Sequence, residues 1–158
     1  MEMILVLDTN AYSDWRRSWR WHGRIATAGR VVMPAIVLGE LLHGFRKGKL
    51  PEKNLGMLHA FLKEPQVEVM PVTHRTAEIY GEFLLHLQTQ GSPIPTNDIW
   101  IAVLTHEFRG ELATCDCHFN ALPLLALAAE CTFPDAIRET GQGFGVTAHR
   151  AAPGALPK

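Results

Sequence analysis

Five consecutive apolar residues, Met3-Ile4-Leu5-Val6-Leu7, stand near the start of the chain and stop at the charged Asp8. A short run that is apolar at every position, rather than at alternate ones, predicts a strand buried on both faces. Val31-Val32-Met33, Val67-Glu68-Val69-Met70 and Glu111–Thr114 predict three more strands, and Cys131–Phe133 is a candidate for a last one. Helical patterns fill the intervals. Thr9 to Ala28 predicts one or two helices carrying Trp15, Trp19 and Trp21. Pro34 opens a helix to about Phe45, and Pro51 opens another to about Lys63 that Pro65 closes. From Thr73 to about Gln90, Ala77, Tyr80, Leu84 and Leu87 recur at the spacing of an amphipathic helix. Thr96 is placed to cap a helix from Asn97 to about Glu107, and a short helix is expected over Ala121–Ala128. Strands separated by helices predict an α/β fold built of βαβ units, with a mainly parallel sheet of four or five strands.

Beyond about Arg138 the pattern fades into Gly141, Gly143, Gly145, Pro153, Gly154 and Pro157, which offer little to a core. One folded domain over residues 1–135 and a flexible tail over 136–158 are therefore expected. The 158 residues are 47% hydrophobic and 20% charged, the balance of an ordinary globular protein able to bury a core without disulfides. A formal net charge of −1 gives no global basic signature, so any nucleic-acid contact has to come from local patches. The run Met3–Leu7 is too short for a signal peptide, and Ala121–Ala129 is well below the roughly 18 residues of a membrane span. A cytoplasmic protein with no membrane contact is expected. Three cysteines without a Cys-x-x-Cys pair argue against a disulfide framework and a zinc site. Cys115 and Cys117 are expected to be buried reduced thiols, turned away from the strand face that carries Thr114 and Asp116.

The chemistry lies in four acids set at the edges of apolar segments: Asp8, Glu40, Asp98 and Asp116. Carboxylates are costly to bury unless they are paired or bound to metal. Each has an ordinary reading. Asp8 could cap the helix that follows it, and Asp98 could complement a helix dipole. Glu40 could pair with a cation such as Arg75, and Asp116 could be a turn residue. In a parallel sheet, however, ligands gather at the carboxyl ends of the strands near the point where strand order reverses. Asp8 and Asp116 follow strands directly, while Glu40 and Asp98 sit on neighbouring helices. One shared cation accounts for all four, and an oxygen-only ligand set favours Mg²⁺ or Mn²⁺ over zinc.

Four short motifs, in order, resemble the PIN-domain ribonucleases, and the VapC-type toxins of toxin–antitoxin pairs in particular. They are Leu7-Asp8-Thr9-Asn10, Leu38-Gly39-Glu40-Leu41 with Gly44 after it, Asn97-Asp98-Ile99-Trp100-Ile101-Ala102, and Leu112-Ala113-Thr114-Cys115-Asp116-Cys117-His118-Phe119. The resemblance spans residues 1 to about 133. It implies a parallel sheet with helices on both faces and an acidic pocket at its carboxyl edge. It maps Asp8, Glu40, Asp98 and Asp116 onto the family's metal-binding catalytic acids. Thr9, Asn10, Asn97 and Thr114 map onto supporting polar positions. Cys115 and Cys117 depart from the family, which often has Arg or another polar residue there. It further implies an RNA substrate, a VapB-like antitoxin partner that binds the Arg16–Arg24 region, and a homodimer.

Phosphodiester hydrolysis needs an activated water and relief of the charge on the leaving oxygen, and divalent ions supply both. In-line attack leaving 5′-phosphate and 3′-hydroxyl ends is expected. Local basic groups could hold the RNA: Arg16, Arg17, Arg20 and Arg24 interleaved with three tryptophans, then Arg46, Lys47 and Lys49. Such arginines are as readily a solvated face, and tryptophans as readily core. His43 and His118 stand close enough in sequence to the acids to touch the pocket, and there is no His-x-x-x-His pair for a zinc hydrolase. Two rival readings remain. One is a catalytically silent PIN-like module that binds RNA or protein. The other is a haloacid-dehalogenase-like phosphatase, which wants a second Asp where this chain has Asn10.

Overall fold

A computed structural model describes residues 2–129. The expected last strand Cys131–Phe133 and the tail over 136–158 lie outside those residues. The elements run β1 (Ile4–Leu7), α1 (Thr9–Arg17), α2 (His22–Thr27), β2 (Arg30–Pro34), α3 (Ala35–Lys47), α4 (Pro51–Phe61), β3 (Val67–Met70), α5 (His74–Gln90), α6 (Thr96–Glu107) and β4 (Glu111–Ala113), followed by a 3₁₀ helix over Cys117–Ala121. All four strands are parallel, in the order β3-β2-β1-β4. Val6 of β1 stands beside Val32 of β2 and Leu112 of β4.

Consecutive residues Leu5, Val6, Leu7 and Val31, Val32, Met33 are all fully buried, so both faces of the sheet are covered. That is why these strands read as continuous apolar runs rather than alternating ones. Gly110 leads into β4 where a Cβ would stand 2.9 Å from the Val6 side chain, so only glycine admits β4 this close to β1. The order places the reversal at β1: the chain steps outward through β2 and β3, then returns to add β4 on the other side. The cleft between the carboxyl ends of β1 and β4 is therefore the switch point at which such sheets bind ligands.

Local chemistry sets most of the boundaries. Asp8 caps α1, accepting from the Ala11 N–H at 2.5 Å. Thr73 and Thr76 form a reciprocal capping box at the start of α5, and Gly91 ends that helix in the left-handed conformation. Helix α6 is buried on nearly every side through Ile99 and Ile101–Thr105. Its Trp100 stacks on Tyr80 of α5 at 3.9 Å between ring centroids.

Several expectations need correction. Pro95, not Thr96, is the residue before α6, and Thr96 is the helix's first member with no side-chain cap. The buried stripe of α5 is Thr76, Ile79, Phe83 and Leu87, one residue earlier than the apolar spacing indicated at most positions. Thr9–Ala28 is two helices, the larger of the two numbers expected, and they divide where Trp21 adopts φ 67°. That left-handed turn costs about 1–2 kcal/mol, and complete burial of the Trp21 indole offsets it. Helix α3 runs two residues past Phe45, so Arg46 and Lys47 lie in its last turn. The 3₁₀ helix ends at Ala121, and the expected helix does not continue from there to Ala128. The edge strand β4 needs partners there: Leu112 receives from the Ala128 N–H at 2.9 Å and donates to the Ala126 carbonyl at 2.8 Å. Strand β4 ends at Ala113, so Cys115 and Cys117 lie beyond it and are both exposed rather than buried. Among the described residues, no helix is long and apolar enough to cross a membrane.

Candidate metal centre

A cleft of about 490 Å³ opens at the carboxyl end of the sheet, lined by Asp8, Thr9, Asn10, Glu40, His43, Asn97, Asp98, Ile101 and Asp116. All four acids picked out in the sequence are present, each from a different element. Asp8 ends β1. Glu40 lies in the second turn of α3, Asp98 in the first turn of α6, and Asp116 caps the 3₁₀ helix after β4.

Each acid is oriented by a specific neighbour. Asp8 is only 3% exposed, and its second oxygen accepts from the Thr114 hydroxyl. The Thr114 oxygen in turn accepts from the Asp116 N–H at 3.0 Å, linking two acids through one hydroxyl. Glu40 accepts from the Thr9 hydroxyl on one oxygen and from the Asn97 amide, at 2.8 Å, on the other. The alternative partner Arg75 is elsewhere, paired with Glu78 at 2.9 Å. Asn10 lines the cleft. His118 is the group that the motifs did not require. Its Nδ1 stands 3.1 Å from Asp98 Oδ2 and 3.0 Å from Asp116 Oδ1. Its two-residue spacing from Asp116 marked it in the sequence as able to touch the pocket, and the 3₁₀ turn makes that a contact.

The electrostatics follow from packing four acids together. Burial pushes the Asp8 carboxyl from 3.8 up to about 6; the Thr114 and Ala11 hydrogen bonds oppose this, and the charges of Asp116 and Asp98 add to it. Asp98 is also raised, first by burial and then by Asp116, with His118 opposing. Acids lifted in this way mark a place where a cation would restore the charged form. The donor chemistry fits one. Asp98, Asp116 and His118 each offer an atom within 4.8 Å of the others. Asp8 and Glu40 each accept hydrogen bonds on both oxygens, which leaves lone pairs free for an ion, since a carboxylate has about four acceptor sites.

The basic residues do not form one patch. Arg24 forms an ion pair with Glu111 at the start of β4, with a side chain only 15% exposed. Arg16 lies 5.7 Å from the Trp15 ring centroid and points at Met57 Sδ, 2.7 Å away. Arg17 pairs loosely with Asp14 at 3.8 Å. Arg20 reaches Asp14 at 3.4 Å and Cys115 Sγ at 3.5 Å, one residue before Asp116. Arg46 and Lys47 are exposed at the end of α3, and Lys49 is exposed just beyond. Trp15 and Trp21 are core residues, while Trp19 is 59% exposed. Tyr12, Ser13, Arg16, Arg17, Phe45 and Asn54 line a separate cleft between α1, α3 and α4.

This topology, with its acids gathered at the carboxyl edge, defines the PIN domain, whose family profile matches residues 5–124; the chain belongs to that family. Within it, the similarity is to the VapC proteins. Ribonuclease VapC2 of Rickettsia felis is 30% identical over 131 residues, spanning 79% of this chain and 96% of that protein. Ribonuclease VapC2 of Haemophilus influenzae is 31% identical over 100 residues, spanning 61% and 74%. Among solved structures, VapBC2 from Rickettsia felis bound to a DNA fragment from their promoter aligns with a TM-score of 0.72 and 28% identity. That alignment covers 82% of this chain and 100% of the other. VapBC-1 from nontypeable Haemophilus influenzae aligns at 0.71 and 25%, covering 80% and 97%. The family match removes the ground for a phosphatase reading.

Proposed function

We propose that this chain is the endoribonuclease toxin of a toxin–antitoxin pair, hydrolysing RNA phosphodiester bonds with Mg²⁺ or Mn²⁺. The observation that carries the reading is the convergence of Asp8, Glu40, Asp98 and Asp116, from four elements, on one cleft at the switch point of the sheet. The relatives named as ribonucleases and the aligned complexes of VapC with VapB support it.

In this reading the four acids hold the divalent ion, and Thr9, Asn97 and Thr114 fix their carboxylates. Asn10 contributes a polar group to the cleft wall. When bound, the ion supplies a Lewis acid that makes water nucleophilic and offsets charge on the leaving oxygen. The chain's own groups orient the scissile phosphate in line, so that cleavage leaves 5′-phosphate and 3′-hydroxyl ends. Arg46 and Lys47 at the end of α3, with Arg17 on α1 and Arg20 beside Cys115, take the RNA backbone. The cleft holding Arg16 and Arg17 is where a VapB-like antitoxin docks, on a homodimer acting in the cytoplasm.

The test is cleavage of RNA by purified protein with Mn²⁺, alongside Asp8→Asn and Asp98→Asn. Wild type is expected to cut and both variants to lose at least about a hundredfold in rate. Variants that cut as well as wild type would refute the site. A wild type that cuts no RNA at any Mn²⁺ concentration would leave the chain a binding module only.

A further inference from the structure

We infer that His118 is itself a metal ligand of the cleft, joining Asp98 and Asp116 through imidazole Nδ1 and biasing the site toward Mn²⁺ over Mg²⁺. The inference rests on the divalent-metal reading above, and adds to its four acids a donor of a different kind.

The ring nitrogen that meets both carboxylates at hydrogen-bond distance is also spaced from them as neighbouring ligands on one ion are. Ligands at right angles on an octahedral ion, each about 2.1 Å from it, stand about 3.0 Å apart. His118 Nδ1 lies 3.1 Å from Asp98 Oδ2 and 3.0 Å from Asp116 Oδ1. Asp98, Asp116 and His118 each offer one donor atom within 4.8 Å of the other two. The ring reaches this place through a fixed turn. The His118 N–H donates to Asp116 Oδ1 at 2.9 Å, so the 3₁₀ helix that presents Asp116 presents the imidazole with it. His43 also lines the cleft but is outside the three-group cluster. A nitrogen donor matters for ion choice, because Mg²⁺ is held by oxygen and water whereas imidazole suits the transition metals.

Pulsed electron paramagnetic resonance of the Mn²⁺-loaded protein tests this without reference to activity. An imidazole bound to Mn²⁺ gives a nitrogen modulation in the echo decay. Wild type and His43→Ala are expected to show it, and His118→Ala to lose it. In parallel titrations His118→Ala should weaken Mn²⁺ binding by on the order of tenfold and Mg²⁺ binding by less than about threefold. His118 is half-exposed, so circular dichroism of the variant should match wild type. Bound Mn²⁺ without nitrogen modulation in wild type overturns the inference while leaving the acid site standing. Modulation that survives in His118→Ala and vanishes in His43→Ala overturns it as well. Absence of any Mn²⁺ binding by wild type overturns both this inference and the metal reading beneath it.

Discussion

The Asn97 side-chain amide donates to Glu40 Oε1 at 2.8 Å, tying α6 to α3 across the mouth of the cleft. Thr9 takes the other Glu40 oxygen, so a half-buried carboxylate is held from two sides. Removing one support frees Glu40 to rotate without disturbing the core, since Asn97 is exposed. Asn97→Ala is expected to lower kcat/KM for RNA cleavage by about 10–100-fold, the usual effect of losing a group that orients a metal ligand. Unfolding stability in urea should change by less than about 1 kcal/mol. Unaltered kinetics would mean that Glu40 needs no positioning.

Thr114 supports Asp8 in the same manner, but from inside the protein. Its hydroxyl lowers a carboxyl that burial raises. Thr114→Val keeps the shape and deletes the donor, so the Asp8 pKa should rise beyond about 6. Thr114→Ser should hold it near the wild-type value. Carboxyl carbon chemical shifts followed by NMR against pH read both outcomes directly. A Val variant that titrates like wild type would show that the hydroxyl is not the group that favours the carboxylate.

Metal-free protein should lose stability as pH rises through the window set by Asp8. Its pKa is about 6 folded and 3.8 ordinarily, so between those values the folded state binds more protons than the unfolded one. The favourable contribution is full below 3.8, declines as pH rises and is gone above about 6. Over that span the change is about 3 kcal/mol, from 1.36 kcal/mol per pKa unit. Because other acids titrate in the same range, the difference between wild type and Asp8→Asn isolates it. In EDTA the variant should gain on wild type as pH goes from 4 to 7, read as urea midpoints. Saturating Mn²⁺ should close most of that gap at pH 7, since an ion at 100 times its Kd adds about 2.7 kcal/mol to wild type.

The parallel sheet and the acids were legible because both leave one-dimensional marks: continuous apolar runs for doubly buried strands, and an acid at the end of each buried segment. What escaped was set by tertiary demands. Nothing local in Ala121–Ala128 announces that Leu112 of the edge strand needs its backbone partners from Ala126 and Ala128. The left-handed turn at Trp21 exists because the indole is buried, which propensity alone does not report. His118 was legible as a neighbour of the pocket from its spacing to Asp116, but its meeting with Asp98 was not, because that acid comes from a separate helix. The cysteines are exposed because β4 ends three residues earlier than Asp116.

The arginines and lysines divide into structural and available cations, and substitution should separate them. Arg24 is largely buried and pairs with Glu111, so it anchors α2 to β4. Arg24→Ala should cost about 1–3 kcal/mol of stability, through lost packing as well as lost charge. It should leave the salt dependence of RNA binding unchanged in molecules that remain folded. Arg46 and Lys47 are exposed on the last turn of α3. Arg46→Gln with Lys47→Gln should leave the urea midpoint in place and weaken RNA binding instead. Each lost phosphate contact lowers the slope of log K against log salt by about 0.7 for single-stranded RNA, so the pair should lower it by about 1.4. Fluorescence anisotropy with a labelled RNA, in the Asp98→Asn background to prevent cleavage, measures the slope. An unchanged slope would move the RNA path off the end of α3 and leave Arg17 and Arg20 to carry it.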